Sequence, residues 1–271
     1  MNSESALSYL SPFSRSTLED AKAMAFLNRF DTKFVFRADG VPAFMEHIKN
    51  DYSVLEIGGA PIQAYSTVYF DTPGLLCFNL HHNKRARRFK FRTRKYLSNG
   101  KIFNEIKQKQ NTGKTFKFRQ RRDGIIDESF NPAFPMLPAV QNLTDFDEHF
   151  EALLKNNGYG FVGGLVPSLH VYFNRVTFLN KNFPERMTLD FGLAYGFGGA
   201  ELQLNNTAIV ELKREKGPER TVSQNYFRSI HKDPSGFSKY TIGISLTHAE
   251  AKKNRFLPKI RHLEYERRAA A

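Results

Sequence analysis

The chain has no tryptophan and a single cysteine in 271 residues. Cys77 alone can form no intramolecular disulfide, so nothing covalent staples the fold, which suits a reducing, cytoplasmic compartment. No apolar run approaches the ~18–20 residues of a membrane span. The first thirteen residues are polar, carry Glu4, and lack the basic start and apolar centre of a secretory signal. A soluble protein is expected, one that reaches a membrane only through a partner. Internal repeats and low-complexity tracts are absent as well. Acids are scarce: 27 Asp and Glu stand against 40 Lys and Arg, a formal net charge of +13. Such an excess repels itself unless an anionic partner offsets it. Nucleic acid, an acidic membrane surface and polyanionic small molecules would all serve, and composition does not choose among them.

What the chain does have is phenylalanine, 26 residues of it, within a hydrophobic share of 41%. That supports a real, Phe-rich core in one large or two small domains. Residues 14–27 read as a short lead-in helix, with Ser16 or Thr17 as N-cap and Glu19 and Asp20 in its first turn. The period then changes to two. Strands are expected over residues 29–36, 63–71, 88–96, 102–110, 114–121, 168–179, 185–191 and 208–215. Turn clusters such as Asp71-Thr72-Pro73-Gly74, Ser98-Asn99-Gly100 and Asn111-Thr112-Gly113 separate several of them, which argues an antiparallel meander. Helices are expected over 41–49, 140–157, 222–231 and 239–247, with another near 248–255. No linker divides two cores. The fold class expected is α+β, an antiparallel β-barrel tunnel with helices packed outside. Residues 1–26 would be a helical lead-in, 27–247 the tunnel domain and 248–271 a basic C-terminal helix or tail.

The strand from Arg88 to Arg94 is the most informative segment. Arg88, Lys90, Arg92 and Arg94 share one face, while Phe89, Phe91 and Thr93 share the other. A solvated basic face would explain one such strand, but its neighbours repeat the pattern. Glu105, Lys107 and Lys109 oppose Ile102 and Ile106; Lys117, Arg119 and Arg121 oppose Phe116 and Phe118. Arg29 and Lys33 come from the first strand, Glu211 and Lys213 from a late one. Strands lie about 4.8 Å apart, so these faces would stack cation beside cation, which is destabilising. Rolling the sheet with this face inward makes a focused positive tunnel. Arginine forks match phosphate oxygens bidentately, so the composition suits a phosphate chain better than a lone carboxylate. The phenylalanines fall on the opposite strand face from the cations, so they could not stack on bases in the same groove, and nucleic acid is not expected.

Several segments, in order, carry a resemblance: Leu27-Asn28-Arg29-Phe30-Asp31-Thr32-Lys33-Phe34, Tyr65-Ser66-Thr67-Val68-Tyr69-Phe70-Asp71-Thr72, Arg92-Thr93-Arg94-Lys95-Tyr96 and Glu105-Ile106-Lys107. Phe173-Asn174-Arg175, Arg186-Met187-Thr188-Leu189-Asp190, Val210-Glu211-Leu212-Lys213 and Phe237-Ser238-Lys239-Tyr240 continue it. Together they resemble the polyphosphate polymerase (VTC, vacuolar transporter chaperone) domain of the triphosphate tunnel metalloenzyme superfamily. The resemblance implies an antiparallel β-tunnel that transfers the ATP γ-phosphate to a growing polyphosphate chain, with a divalent metal, Mn²⁺ or Mg²⁺, at an acidic residue. Lys33, Arg92, Arg94, Lys107, Lys117, Arg175, Arg186, Ser238 and Lys239 stand where the family has phosphate-binding residues, and Glu211 where it has its metal-binding glutamate. Lys90, Lys109, Arg119 and Lys213 join the phosphate and nucleotide set by their shared strand faces, and Arg92, Arg94, Lys107 and Glu211 are the candidate catalytic residues.

Two positions depart from the pattern: Phe173 replaces a tyrosine, and Gly236 a basic residue. The triphosphatase branch usually has two alternating glutamates before a lysine. Here Lys107 stands in place of the second one, in Glu105-Ile106-Lys107-Gln108-Lys109, which favours the polymerase branch. A metal-dependent triphosphatase and a non-catalytic polyphosphate-binding module remain the alternatives. His81 and His82, read on an extended segment, are expected to be packing or surface residues, Cys77 to be buried, and Asp71 and Asp190 to serve turns or networks. The cation-rich tail from Lys252 to Arg268 is expected to be a solvated helix, or else a docking element for a membrane-protein partner or acidic lipid.

Overall fold

A computed structural model describes residues 3–24, 29–112, 115–122, 152, 155–156, 164–198, 200–215 and 220–269. The helix expected over 140–157 lies largely outside them. Twelve strands are found among the described residues: β1 (Arg15–Ser16), β2 (Arg29–Arg37), β3 (Tyr52–Leu55), β4 (Ile62–Asp71), β5 (Arg88–Tyr96) and β6 (Ile102–Lys109) come first. Then follow β7 (Thr115–Arg122), β8 (Val166–Asn180), β9 (Glu185–Phe197), β10 (Ala200–Asn205), β11 (Thr207–Glu215) and β12 (Glu264–Ala269). The helices are α1 (Ser3–Leu10), α2 (Leu18–Ala23), α3 (Val41–Ile48), α4 (Leu76–His82), α5 (Val222–Ser229), α6 (Lys239–Thr247) and α7 (Leu257–Ile260).

Eight strands make one continuous antiparallel wall in the order β2-β11-β9-β8-β4-β5-β6-β7. Among the described residues no ladder joins β2 to β7, so the wall is not closed into a barrel by hydrogen bonds. A large antiparallel sheet is therefore established, and closure is not. The wall branches on β9. Its first half pairs with β11 from Glu185-paired Arg214 to Asp190, and its second half, from Ala194, pairs with β10. The switch falls at Gly192, whose φ of +61° is open to glycine and strained for other residues. There β9 carries a bulge against β8 between Tyr172 and Asn174.

Alternation sorts the side chains as the strand periods require. On the outer face, Phe34, Phe36, Val176, Phe178, Met187, Leu189, Val210 and Leu212 join Val41, Phe44 and Ile48 of α3, Phe227 of α5 and Ala6 and Leu10 of α1 in one core. Burying a side chain of this size contributes roughly 1.5–3 kcal/mol, so the outer layer clamps the strands that carry the polar inner face. Phe13 of the N-terminal segment joins that core with Ala6 and Leu10. Thr17 caps α2 in a reciprocal box with Asp20.

Three expectations need correction. Helix α6 does not pack outside. Tyr240 to Leu246 are buried throughout, and a helix without a solvated face belongs in an interior. It lies against the inner face: Tyr69 stacks on Tyr240 at 5.1 Å, and a Cβ on Gly243 would come within 2.4 Å of Leu169 and 2.8 Å of Tyr195. His81 and His82 lie on α4, not on an extended segment. Both pack as expected, His81 Nε2 on the Phe89 carbonyl at 2.9 Å and His82 Nε2 on Asn254 Oδ1 at 2.6 Å. The tail is not a long helix: a short 3₁₀ turn and α7 lead into β12, which pairs with β10. No helix among the described residues is long and apolar enough to cross a membrane.

Candidate functional site

The inner faces of β2, β11, β9, β8, β4, β5, β6 and β7 line one cavity of about 490 Å³. Eleven cations reach it: Lys33, Lys90, Arg92, Arg94, Lys107, Lys117, Arg119, Arg175, Arg186, Lys213 and Lys239. Only Asp31, Glu105, Asp190 and Glu211 oppose them. Ser238, Tyr69, Phe173 and Phe237 line it as well, with Ile106, Phe118 and Ile209. Of the candidate catalytic and phosphate-binding residues, Lys109 alone does not line it; Arg88 and Arg121, from the same basic strand faces, lie outside it too. Lys109 has the right parity but sits at the end of β6 in register with Arg88, and it is solvent-exposed. Strand parity fixes which way a side chain points; it does not say how far along the strand the cavity extends.

Three of the four carboxylates each gather a cluster of cations. Glu211 takes Lys33 on Oε1 at 3.1 Å and Lys213 on Oε2 at 2.8 Å. Burial opposes its ionisation, yet the charges of Lys213 and Lys33 hold it well below the usual carboxylate range. Glu105 accepts from Arg92 Nε at 2.7 Å and sits 3.6 Å from Arg119 Nε and 4.0 Å from Arg94 Nε. Asp190 accepts both arms of Arg175, at 2.6 and 2.8 Å, and also the Lys239 ammonium. Arg175 is thereby held in the bidentate geometry that specifies carboxylate or phosphate.

Several cations are destabilised by their neighbours. Burial, then the charges of Lys107 and Lys33, push Lys90 well below the ordinary lysine range. Burial pulls Lys239 down to about 8 although Asp190 opposes the shift. Crowded, desolvated ammonium groups of this kind gain most from an arriving polyanion. Lys90 Nζ donates to Ser238 Oγ at 2.9 Å, and Ser238 also caps α6 by accepting from the Thr241 amide. The burial of α6 thus brings Ser238 and Lys239 to the strand cations.

Aromatic rings floor the site. Phe173 stacks on Tyr65 at 5.1 Å, and Arg94, Arg175 and Lys239 lie 5.7, 5.3 and 4.3 Å from its centroid. Arg94 also donates to Thr67 Oγ1 at 3.2 Å, and Arg92 to the Tyr69 hydroxyl at 3.3 Å. Sequence reasoning missed Tyr65, Thr67 and Tyr69 as supports; their shared parity on β4 was the available signal. At the second departure from the family pattern, Lys259 Nζ donates to the Gly236 carbonyl at 2.8 Å, so an ammonium from α7 stands beside that glycine. Asp71 has a structural role: it accepts from the amides of Thr72, Cys77 and Phe78 and from the Tyr240 hydroxyl, joining the start of α4 to α6.

Replacing Asp190 by asparagine should lower thermal stability by about 3–5 kcal/mol, because it strands two buried cations. Asp190 is held below its ordinary value of 3.8: burial opposes this, and Arg175 and Lys239 outweigh it. Its contribution is therefore present above pH ~4 and lost as pH falls below. The gap between the melting curves of the two proteins should hold from pH 7 to about pH 4 and narrow progressively below it, without closing by pH 3; a gap that does not narrow would place the loss elsewhere.

No group of three or more His, Cys, Asp and Glu side chains able to hold a metal is found among the described residues. Glu211 and Asp31 offer hard oxygen donors in the cavity. Such donors fit a Mg²⁺ or Mn²⁺ ion that takes its remaining ligands from phosphate and water.

A family model of the VTC domain matches residues 28–248. No curated protein matches the chain. Among solved structures, a protein from Hippeastrum described as an adenylyl cyclase candidate with a dominant triphosphatase activity is 14% identical. The match covers 81% of this chain and 97% of that one, with a TM-score of 0.47. Provisionally assigned adenylate cyclases from Vibrio parahaemolyticus and Bacillus halodurans are each 14% identical. They cover 79% and 84% of this chain, and 98% and 97% of their own, with TM-scores of 0.41 and 0.43. At these scores the likeness assigns neither substrate nor residue roles. The match over 28–248 takes in every strand from β2 to β11, and the chain belongs to the VTC domain family.

Proposed function

We propose that the chain is a polyphosphate polymerase that transfers the γ-phosphoryl group of ATP to the end of a polyphosphate chain held in the basic cavity. The observation that supports this most is the imbalance of eleven cations over four carboxylates in one cavity. Such an excess of like charge destabilises the folded protein unless a polyanion offsets it. In the reaction, a terminal oxygen of the acceptor chain attacks the γ-phosphorus in line. The bond from that phosphorus to the β–γ bridging oxygen breaks, and ADP leaves with the electron pair. The nucleophile is already anionic, so no general base is assigned. Phosphoryl transfer then depends on positioning and charge neutralisation. Arg92, Arg94 and Lys107 offset charge on the transferred group and on the departing ADP oxygens. Lys90, Lys239 and Ser238 hold phosphates against α6, and Arg175 and Arg186 hold them along β8 and β9. Glu211 would hold a divalent ion shared with phosphate oxygens, which supplies further charge neutralisation when bound. Lys33 and Lys213, which now occupy both its oxygens, would turn to phosphate.

The test is incubation of the purified chain with ATP and Mn²⁺ or Mg²⁺, with products resolved by chain length. Phosphate chains longer than triphosphate, formed with one ADP per added unit, are expected. Orthophosphate as the sole inorganic product would make it a triphosphatase. Polyphosphate binding without turnover would make it a binding module.

A further inference from the structure

A second cavity, of about 560 Å³, lies behind β2. Its floor is Thr32 and Phe34, the residues that alternate with Asp31 and Lys33 and therefore face away from the first cavity. Its walls are Arg220, Gln224 and Arg228 from α5 and the segment before it, and His231, Lys232 and Asp233 from the segment after it. Three permanent cations face one carboxylate. Among the described residues, the side chains of Arg220, Arg228 and Lys232 make no hydrogen bond or ion pair. These cations are exposed, and nothing in the fold requires them: Phe34 and Phe227 stack at 4.1 Å beneath the groove and hold α5 without their help.

The two cavities are physically joined by one segment. Lys232 and Pro234 line the groove, while Phe237, Ser238 and Lys239 line the first cavity. Between them, the Ser235 amide donates to the Lys33 carbonyl at 2.7 Å, along the edge of β2 that no strand covers among the described residues. Both cavities also lie near the same end of the wall, since Arg214 of β11 reaches Gln224 of the groove and its neighbour Lys213 points into the first cavity.

We propose that this outer groove is an accessory binding site for linear condensed phosphate, placed to take chain that extends beyond the inner cavity around the free edge of β2. The proposal rests on the polyphosphate reading of the inner cavity. Two guanidinium forks and an ammonium provide the donor set that phosphate oxygens select. Single-stranded nucleic acid is the poorer fit, because the groove's aromatic floor is only 5% exposed at Phe34 and offers bases no face to stack on.

The test compares three proteins: wild type, the groove variant Arg220→Gln, Arg228→Gln, Lys232→Gln, and a charge-matched control, Lys22→Gln, Lys252→Gln, Lys253→Gln. All six positions are exposed, and folding is checked by melting. Long-chain polyphosphate and tripolyphosphate are titrated calorimetrically. The groove variant should bind long chains about tenfold more weakly, against less than about twofold for the control, which carries the same charge loss. One inner chain reaching outward predicts a single tripolyphosphate per protein and an effect confined to long chains. A separate outer chain predicts two tripolyphosphates on wild type and one on the groove variant. Either pattern supports the groove. Groove and control variants that behave alike would overturn it, and if Arg94→Ala still weakens binding the inner site stands. Failure of wild type to bind either phosphate would remove both readings. An oligothymidylate bound as tightly as polyphosphate, and lost in the groove variant, would reassign the groove to nucleic acid.

Discussion

Replacing Arg94 by alanine is expected to lower kcat/KM for ATP by about 10²–10³-fold, the ~3–4 kcal/mol that one preorganised donor to a developing anion contributes. The matched change Arg121→Ala should cost little. Both residues lie on basic strand faces, but Arg94 is 7% exposed, lines the cavity, and is fixed by Thr67 Oγ1 at 3.2 Å and by the rings of Tyr65 and Phe173. Arg121 is exposed and lies outside the lining. A cation at the rim mainly alters encounter with the polyanion, and salt screens that effect. The comparison is kcat/KM for both variants at low and high ionic strength. Equal losses that vanish together in salt would mean that the basic faces act only as an electrostatic surface. Arg94→Lys is the informative companion: it keeps the charge and loses the fork, so partial rescue separates the two contributions.

Glu211→Gln is expected to abolish metal-dependent turnover, a loss of at least about 10²-fold, while tightening polyphosphate binding in the absence of metal. The two effects have one cause. The amide is a poor ligand for a hard cation, and it also releases Lys33 and Lys213 from the carboxylate they share at 3.1 and 2.8 Å. Those ammonium groups then become phosphate ligands. Without phosphate they are left partly buried and unpaired, so the free variant should melt lower than wild type, and added tripolyphosphate should restore more stability to it. Turnover at varied metal concentration, with calorimetric binding in chelator, measures both. Unchanged turnover at limiting metal would move the ion to another carboxylate, with Glu105 first in line. Weaker phosphate binding in the variant would show that the lysines need Glu211 to hold their positions.

The strand faces were legible because a two-residue period leaves a plain trace. Arg88 to Arg94 could be assigned inward against Phe89 and Phe91, and both phenylalanines are fully buried on the outer face. The boundaries of β5 and α6 were readable for a related reason: turn residues bracket the strand, and Ser238 caps the helix. Lys109 shares the inward parity yet falls outside the cavity lining, because parity carries no information about where along a strand a cavity ends. Helix α6 was put on the wrong side because an apolar segment of this length shows that it is buried, not which layer buries it. β12 was missed because its pairing with β10 joins positions roughly sixty residues apart or more, and nothing local announces such a contact; β10 was missed as well, although it also forms a local hairpin with β9.

The sequence by itself determined the charge, the alternation of cations with phenylalanines, and the membership that the ordered segments declare, since each of these is written in composition or in spacing. Only the tertiary structure decided how the charges are shared. It set Glu211 between Lys33 and Lys213, gave Asp190 both Arg175 and Lys239, and placed Glu105 among three arginines. It also buried Glu185 beneath Tyr52, Thr221 and Ser223, a network drawn from three separate stretches of chain. Pairing energies in a desolvated interior depend on ångström separations and on what excludes water. Those quantities exist only once β2, β9, β11 and α6 have been brought together.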